Sequence, residues 1–460
     1  MRMGKSVIAL ALIALLAPAA ALPQAKSGKS GVYEQLNLFG EAFERIRHDA
    51  VEPVTDDKLV ATAITGMLAS LDPNSVYLTE GQYKALQTPT TDDSATTGLA
   101  VTLQGGEVKV VAPRDGSPAA AADIKPGDTI FTIDKEPTFD LTLPEIEQKL
   151  RGPANSEVVL RLRRGTGTPI KVTLKRVAAK FPTVTHRLEA ADVGYIRLAG
   201  FDDATASDLA AAVKELRQQG GSKLVGFILD LRNNPGGNFD ASVATADALI
   251  DKGDIAVVKS RSAESAKKIA ATPGDVANGV PIVALVNGGT ASEAELVAGA
   301  LQDNKRAVLL GSKTFGASAI ETLIPLKGNG AIRLTTARFM TPSGRTIQGK
   351  GLDPDLAVSP LKLEKVAQGD RLREADLRGA LKNPDTAPAA GAAPAGSRGS
   401  APGGAATPDK APTTAAVPPQ GDQPTVASGD IGTVSDEQLS EAVDVLRGLA
   451  LVSGRTAAAR

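Results

Sequence analysis

Asn287-Gly-Gly-Thr-Ala-Ser-Glu-Ala-Glu-Leu296 reads as a strand end, a glycine turn and a serine that opens a helix. The preceding run, Val280 to Val286, is apolar, as a strand buried on both faces must be. Ser292 and Glu295 have capping-box spacing, and Glu293 and Glu295 in the first turn suit the helix dipole. Upstream, Leu224-Val-Gly-Phe-Ile-Leu-Asp-Leu231 is a second buried strand, running into Arg232-Asn-Asn-Pro-Gly-Gly237. Val193–Leu198 adds a strand and Ala204–Gln218 an amphipathic helix. This alternation predicts an α/β core over residues 190–360. Strand–Gly–Gly–helix junctions can receive an anion on backbone amides. Neither junction carries the phosphate-loop pattern Gly-x-x-x-x-Gly-Lys-Ser/Thr.

The sequence on either side of this core changes character. Leu36, Phe39, Phe43 and Ile46 share a helical face, and Leu59, Ala63, Met67 and Leu68 repeat it, so residues 30–90 read as helical with ordinary core packing. Leu71-Asp-Pro-Asn74 supplies the stop. Residues 95–178 are β-rich, with runs at Val108–Val111, Thr129–Ile133 and Val158–Leu162. Ile124-Lys-Pro-Gly-Asp-Thr-Ile130, a turn feeding a buried strand, resembles the signature of PDZ domains. That resemblance implies a peptide C-terminus bound as an added strand, with Gly98, Leu99, Ala100 and Val101 as its carboxylate loop. Ala100 departs from the more usual glycine and is expected to restrict the loop.

Composition narrows the chemistry. Lys plus Arg number 51 against 52 Asp plus Glu, a net charge of −1, which gives no footprint for nucleic acid. The chain has no cysteine, which excludes thiolate nucleophiles and disulfides. His48 and His186 have no metal-ligand partner at helical spacing, so neither metal nor cofactor is expected.

Met1-Arg-Met-Gly-Lys5, the apolar Val7–Ala17 and Ala19-Ala-Ala21 read as a secretory signal, residues 1–21. The expected location is the periplasm, with an uncleaved signal segment as the only membrane link. The apolar run is short beside the ~20 residues of a stable span. Residues 369–434 are rich in Pro, Ala and Gly and read as a disordered linker. Ser435 and Gln438 then suggest a capped C-terminal helix over 435–452, docking on the body or on a second subunit.

Tyr33–Phe43, Ser70-Leu-Asp-Pro-Asn74, Asp230–Gly237, Ala298–Asp303, Leu334–Phe339 and Thr341–Gly351 occur in an order that resembles the C-terminal processing peptidases, across about residues 30–365. The resemblance implies an α/β core of Clp protease/crotonase-like type (residues 179–368), with an inserted β-rich PDZ domain and an N-terminal helical region. It implies Ser-Lys serine endopeptidases that act on proteins through recognised C-termini. Ser292 falls on the nucleophile, Asp303 on a supporting acid, and Gly236 or Gly237 with the Glu293 amide on the oxyanion hole. The lysine base falls on Ala317, and the glutamine that holds it falls on Glu321.

These departures change the chemistry. A positioned base typically contributes ~10²–10⁴-fold, and alanine cannot titrate. Lys313, four residues upstream, lies roughly 13 Å from position 317 if the stretch is extended. The Glu293 carboxylate would oppose an oxyanion by ~3 kcal/mol at ~5 Å unless its side chain turns outward into water. Two readings stay open: a pseudopeptidase that binds C-termini of exported proteins, with a homodimer or an active paralogue as further partner, and a serine endopeptidase with a substitute base, of which Glu321 is one candidate.

Overall fold

The computed structural model describes residues 28–87, 95–139, 141–178, 181–261, 266–328, 330–359, 431–433 and 436–452. The signal segment and nearly all of the 369–434 linker therefore lie outside the described residues. Contacts divide the chain after Met67. The first unit carries helix α1 (Gly28–Asp49) and most of α2 (Asp56–Ala69). Its apolar stripe is not core: Leu36, Phe39 and Ile46 are about half exposed, at 58%, 48% and 50%. Two helices alone have too little surface to bury a full stripe. No helix among the described residues is long and apolar enough to cross a membrane.

The second unit begins with a β-rich module. Strands β1 (Leu99–Gln104), β2 (Glu107–Pro113), β3 (Thr129–Ile133), β4 (Glu157–Arg163) and β5 (Ile170–Lys175) pair antiparallel in that order. Helix α3 (Leu143–Leu150) drops Ile146 and Leu150 into a core with Val108, Val110, Ile130, Leu160 and Leu162. Val177–Ala178 pairs with Ala95–Thr96 and closes the module.

The core sheet has six strands: β6 (Val184–Glu189), β7 (Val193–Leu198), β8 (Gly226–Asp230), β9 (Ile282–Val286), β10 (Ala307–Gly311) and β11 (Leu356–Ala357). Only β6 is antiparallel. Every residue of β7, β8 and β9 is buried, and apart from the buried charges Arg197 and Asp230 and the Tyr195 hydroxyl these strands are apolar, as strands covered on both faces must be. Strand alternation divides them between two faces. Ile196, Leu198, Phe227, Leu229, Ala284 and Val286 pack in one cluster with helices α4 (Thr205–Gly220), α5 (Phe239–Asp247) and α6 (Glu293–Asp303). Tyr195, Ile228, Val283 and Leu285 meet Leu439, Ala442, Val443 and Leu446 of helix α7 (Glu437–Val452) on the other. A separate five-stranded sheet includes the hairpin Ala319–Pro325 and Ala331–Met340.

Helix α7 thus docks on the body of its own chain. The expected Ser435–Gln438 box involves Ser435, which lies outside the described residues; at the described end of the helix Asp436 Oδ1 accepts from the Leu439 amide at 3.1 Å. Asp436 and Gln438 serve a second purpose. Arg232 is fully buried, and its guanidinium donates to Asp230, to both Asp436 oxygens at 2.9 and 2.6 Å, and to Gln438 at 3.0 Å. Gln438 in turn donates to the Val358 carbonyl at 2.7 Å. Removing one partner of a buried pair leaves uncompensated charge. Asp436→Ala is therefore expected to destabilise the full chain by on the order of 3 kcal/mol, measured by urea unfolding.

Candidate active site

Strands β8 and β9 are parallel neighbours, so the loops after them emerge side by side. A reciprocal amide pair joins the loops: the Asn233 amide donates to Asn287 Oδ1 at 2.9 Å, and Asn287 Nδ2 donates to Asn233 Oδ1 at 2.8 Å. The Ala291 amide donates to the Asn234 carbonyl at 2.9 Å, and the Thr290 hydroxyl to the Leu231 carbonyl at 2.9 Å. This lacing brings Gly236 against the serine. A Cβ at Gly236 would lie 3.0 Å from Ser292 Cβ and 3.2 Å from the Glu293 nitrogen, and the glycine has φ +102°. Only glycine fits there without strain.

Ser292 itself has φ 52° and ψ −121°. A non-glycine residue in this region costs roughly 1–3 kcal/mol. Such strain is characteristic of a serine held on a sharp strand-to-helix turn. The capping box expected from sequence is present as well: Glu295 Oε2 accepts from the Ser292 amide at 3.1 Å, and the serine side chain faces the Glu295 amide in return.

The Glu293 side chain does not turn out to water. Its Oε2 accepts from the Gly237 amide at 3.0 Å, within the ring of groups around Gly236 and Ser292. Burial pushes its pKa above the usual carboxyl range, opposed by the Gly237 amide, its own amide and the Ser292 hydroxyl. Of the two glycines assigned to an oxyanion hole, only Gly237 presents its amide to this space, because the Gly236 amide is spent on Asn234 Oδ1 at 2.9 Å.

The 314–317 segment is organised around a buried carboxylate. Glu295 is completely buried and accepts from the Gly316 and Ala317 amides at 2.8 Å each and from the Thr314 hydroxyl. Burial pushes its pKa up to about 7, although these donors oppose the shift. The sequence pattern offered Glu295 only as half of a cap; its role as anchor of the 314–317 turn needed the fold. That turn ends in the Ala317 methyl group, which can take no proton.

Neither Lys313 nor either histidine is paired with Ser292 among the described residues. Lys313 pairs with Asp353 at 3.1 Å. His48 bonds Asp49, and His186 faces Glu215. Asp303 stands at the far end of α6 from Ser292, where it accepts from the Ser343 amide at 2.8 Å and pairs with Arg345. Eleven residues of helix put it roughly 16 Å away, so it supports the Thr341–Arg345 turn and not the serine. Glu321 lies on the hairpin at a register shift. Desolvation raises its pKa, Arg333 opposes this, and the charges of Glu293 and Asp72 add to it. Glu321 thus shares an electrostatic environment with Glu293.

The β-rich module presents β1 as the edge strand of its sheet, beside α3. Gly98, just before it, has φ +77°, and a Cβ there would strike Ser117. Ala100 carries no such angle among the described residues, so the restriction expected from its methyl group is absent; Gly98 does the turning. The module is seated on the core. Arg197 of β7 donates to both oxygens of Asp115 at 2.7 and 3.0 Å, and the Pro126 ring reaches Gly289 of the serine loop.

Residues 192–358 match the family described as peptidase family S41, residues 109–164 a PDZ domain, and residues 14–81 the N-terminal domain of the activating protease CtpB. A carboxy-terminal-processing protease of Bartonella bacilliformis is 41% identical over 359 residues, 77% of this chain and 82% of that protein. A carboxyl-terminal-processing protease of Synechocystis is 37% identical over 66% of this chain and 72% of that protein. The chain belongs to peptidase family S41. A solved photosystem II D1 C-terminal processing protease shares the fold, with TM-score 0.62 and 31% identity over 71% of this chain and 93% of that one.

Within the S41 frame the serine turn and the glycine loop are in place, and Ala317, Glu293 and Glu321 are what this chain carries around them. Two measurements test the local physics. Ser292→Gly relieves the left-handed strain that Ser292→Ala keeps, so the glycine variant is expected to be about 1 kcal/mol more stable than the alanine variant in chemical denaturation. Glu295, with its folded pKa raised from 4.5 to about 7, binds its proton more tightly folded than unfolded. Its contribution is full below pH 4.5 and is lost as pH rises to about 7, by on the order of 3 kcal/mol. Glu295→Gln is expected to be less stable throughout and to lose that slope in unfolding free energy between pH 4.5 and 7.

Proposed function

We propose that this S41 protein binds the C-terminal segments of exported proteins through its PDZ domain and hydrolyses them little or not at all. One observation carries the reading: the turn that should present a base beside Ser292 is formed and anchored by Glu295, yet ends in the Ala317 methyl group. A serine hydroxyl without a base is a weak nucleophile. The edge strand β1 beside α3, led by the glycine turn at Gly98, supports added-strand peptide capture. Residues 1–21 supply the export expectation, and the periplasm is the proposed place of action.

A second reading keeps the chain as a serine endopeptidase with a carboxylate base. It is favoured by the strained Ser292 backbone, which a mere fold element has no need to retain, and by the nearby Glu293 carboxyl.

Purified protein from residue 22 onward, incubated with an unstructured protein ending in apolar residues, separates the two. A peptide with that C-terminus is expected to bind, its amidated form to bind at least tenfold more weakly, and the protein to remain uncut. Cleavage by wild type that disappears in Ser292→Ala would refute the binding-only reading.

A further inference from the structure

The oxyanion hole of this site is an anion receptor built from backbone amides, and it already holds a carboxylate. Gly237 donates to Glu293 Oε2 at 3.0 Å. A Cβ placed on Gly236 would meet the same oxygen at 2.3 Å and Ser292 Cβ at 3.0 Å. The oxygen therefore sits beside the serine methylene, where a substrate carbonyl must come to be attacked. We propose that Glu293 is an internal occupant of the oxyanion hole, standing where the oxygen of a tetrahedral intermediate would stand.

This deepens the reading above and rests on it: the site lacks a base, and its electrostatic half is filled as well. The two defects are independent. Position 317 lies on the segment after β10, whereas Glu293 belongs to the first turn of α6. Restoring a lysine alone supplies a base to a serine whose substrate cannot seat its carbonyl. The occupant is also well suited to its place. It is tethered to the residue next to the nucleophile, so it competes at high effective concentration with any incoming carbonyl. A hole filled this way is preorganised, and one such donor is worth about 10²–10³ in rate.

The test uses the full mature chain in five forms: wild type, Glu293→Ala, Ala317→Lys, the Glu293→Ala/Ala317→Lys double variant, and Glu293→Gln/Ala317→Lys. Two readouts are taken. One is cleavage of an unstructured protein with an apolar C-terminus. The other is affinity for a peptidyl boronic acid, whose boron accepts the Ser292 oxygen with release of a proton and places a boron-bound oxygen in the hole. The boronate readout needs no turnover.

Glu293→Ala is expected to bind the boronic acid at least tenfold more tightly than wild type. The Ala double variant is expected to cleave about 10²-fold faster than Ala317→Lys alone. Glutamine keeps an acceptor of the same length, so Glu293→Gln/Ala317→Lys is expected to stay near Ala317→Lys. Equal boronate affinity of wild type and Glu293→Ala overturns the proposal. So does an Ala317→Lys variant as fast as the double variant. A glutamine variant as active as the alanine variant would show charge and not occupancy, and would overturn it too. Ser292-dependent cleavage by wild type instead sinks the missing-base reading, and the boronate affinities still decide occupancy.

Discussion

The reciprocal amide pair between Asn233 and Asn287 is the constraint on which this site depends. Two parallel strands end side by side, and each throws out a glycine-rich loop that would wander without a tie. The Asn287 side-chain amide offers donor and acceptor in a single plane, so it can meet the backbone N–H and the side-chain oxygen of Asn233 at once across a short gap. Both residues are buried, and a mismatch there would leave polar groups without water or partner. The pair therefore fixes register as well as distance. From that register follow the approach of Gly236 to the serine, the strained turn at Ser292 and the direction of helix α6.

The form of the site is held by groups other than the side chain at position 317. The 314–317 turn is held from beneath by Glu295, through backbone amides whose donors are indifferent to the side chain at 317. An alanine at 317 satisfies the same backbone hydrogen bonds of the turn that any other side chain there would. The scaffold and the reactive groups are thus separable physical systems, which is why function has to be argued from the site and not from the fold.

Much of this was legible in the sequence. Unbroken apolar runs gave β8 and β9, because parallel strands bury both faces, and Gly-Gly pairs marked where they end. Ala317, Glu293 and Glu321 stood out because the motifs around them are otherwise so regular. What the sequence could not convey was direction. Nothing in the string says that Glu293 turns inward to Gly237, or that Asp303 lies at the wrong end of its helix. The partnership of Arg232 with Asp436 spans 204 positions, with the long linker between them, and local spacing carries no trace of it. The stripe on α1 misled for the opposite reason: periodicity reports an apolar face but not what covers it.

Arg197 sits almost wholly buried under the PDZ domain, with both Asp115 oxygens on its guanidinium and the Asp230 carbonyl behind it at 3.1 Å. Ion pairs of this kind are short-ranged in what they tolerate. A displacement of the Asp115 loop by a few ångströms would take away the nearer of its two carboxylate partners and leave Asp230 alone, 3.7 Å away, against a buried cation, which is an unfavourable arrangement. The PDZ domain consequently has a defined seat and no graded range of positions near it. Any departure from that seat has the character of a step across a barrier, so its timing is set by a rate and not by a stiffness.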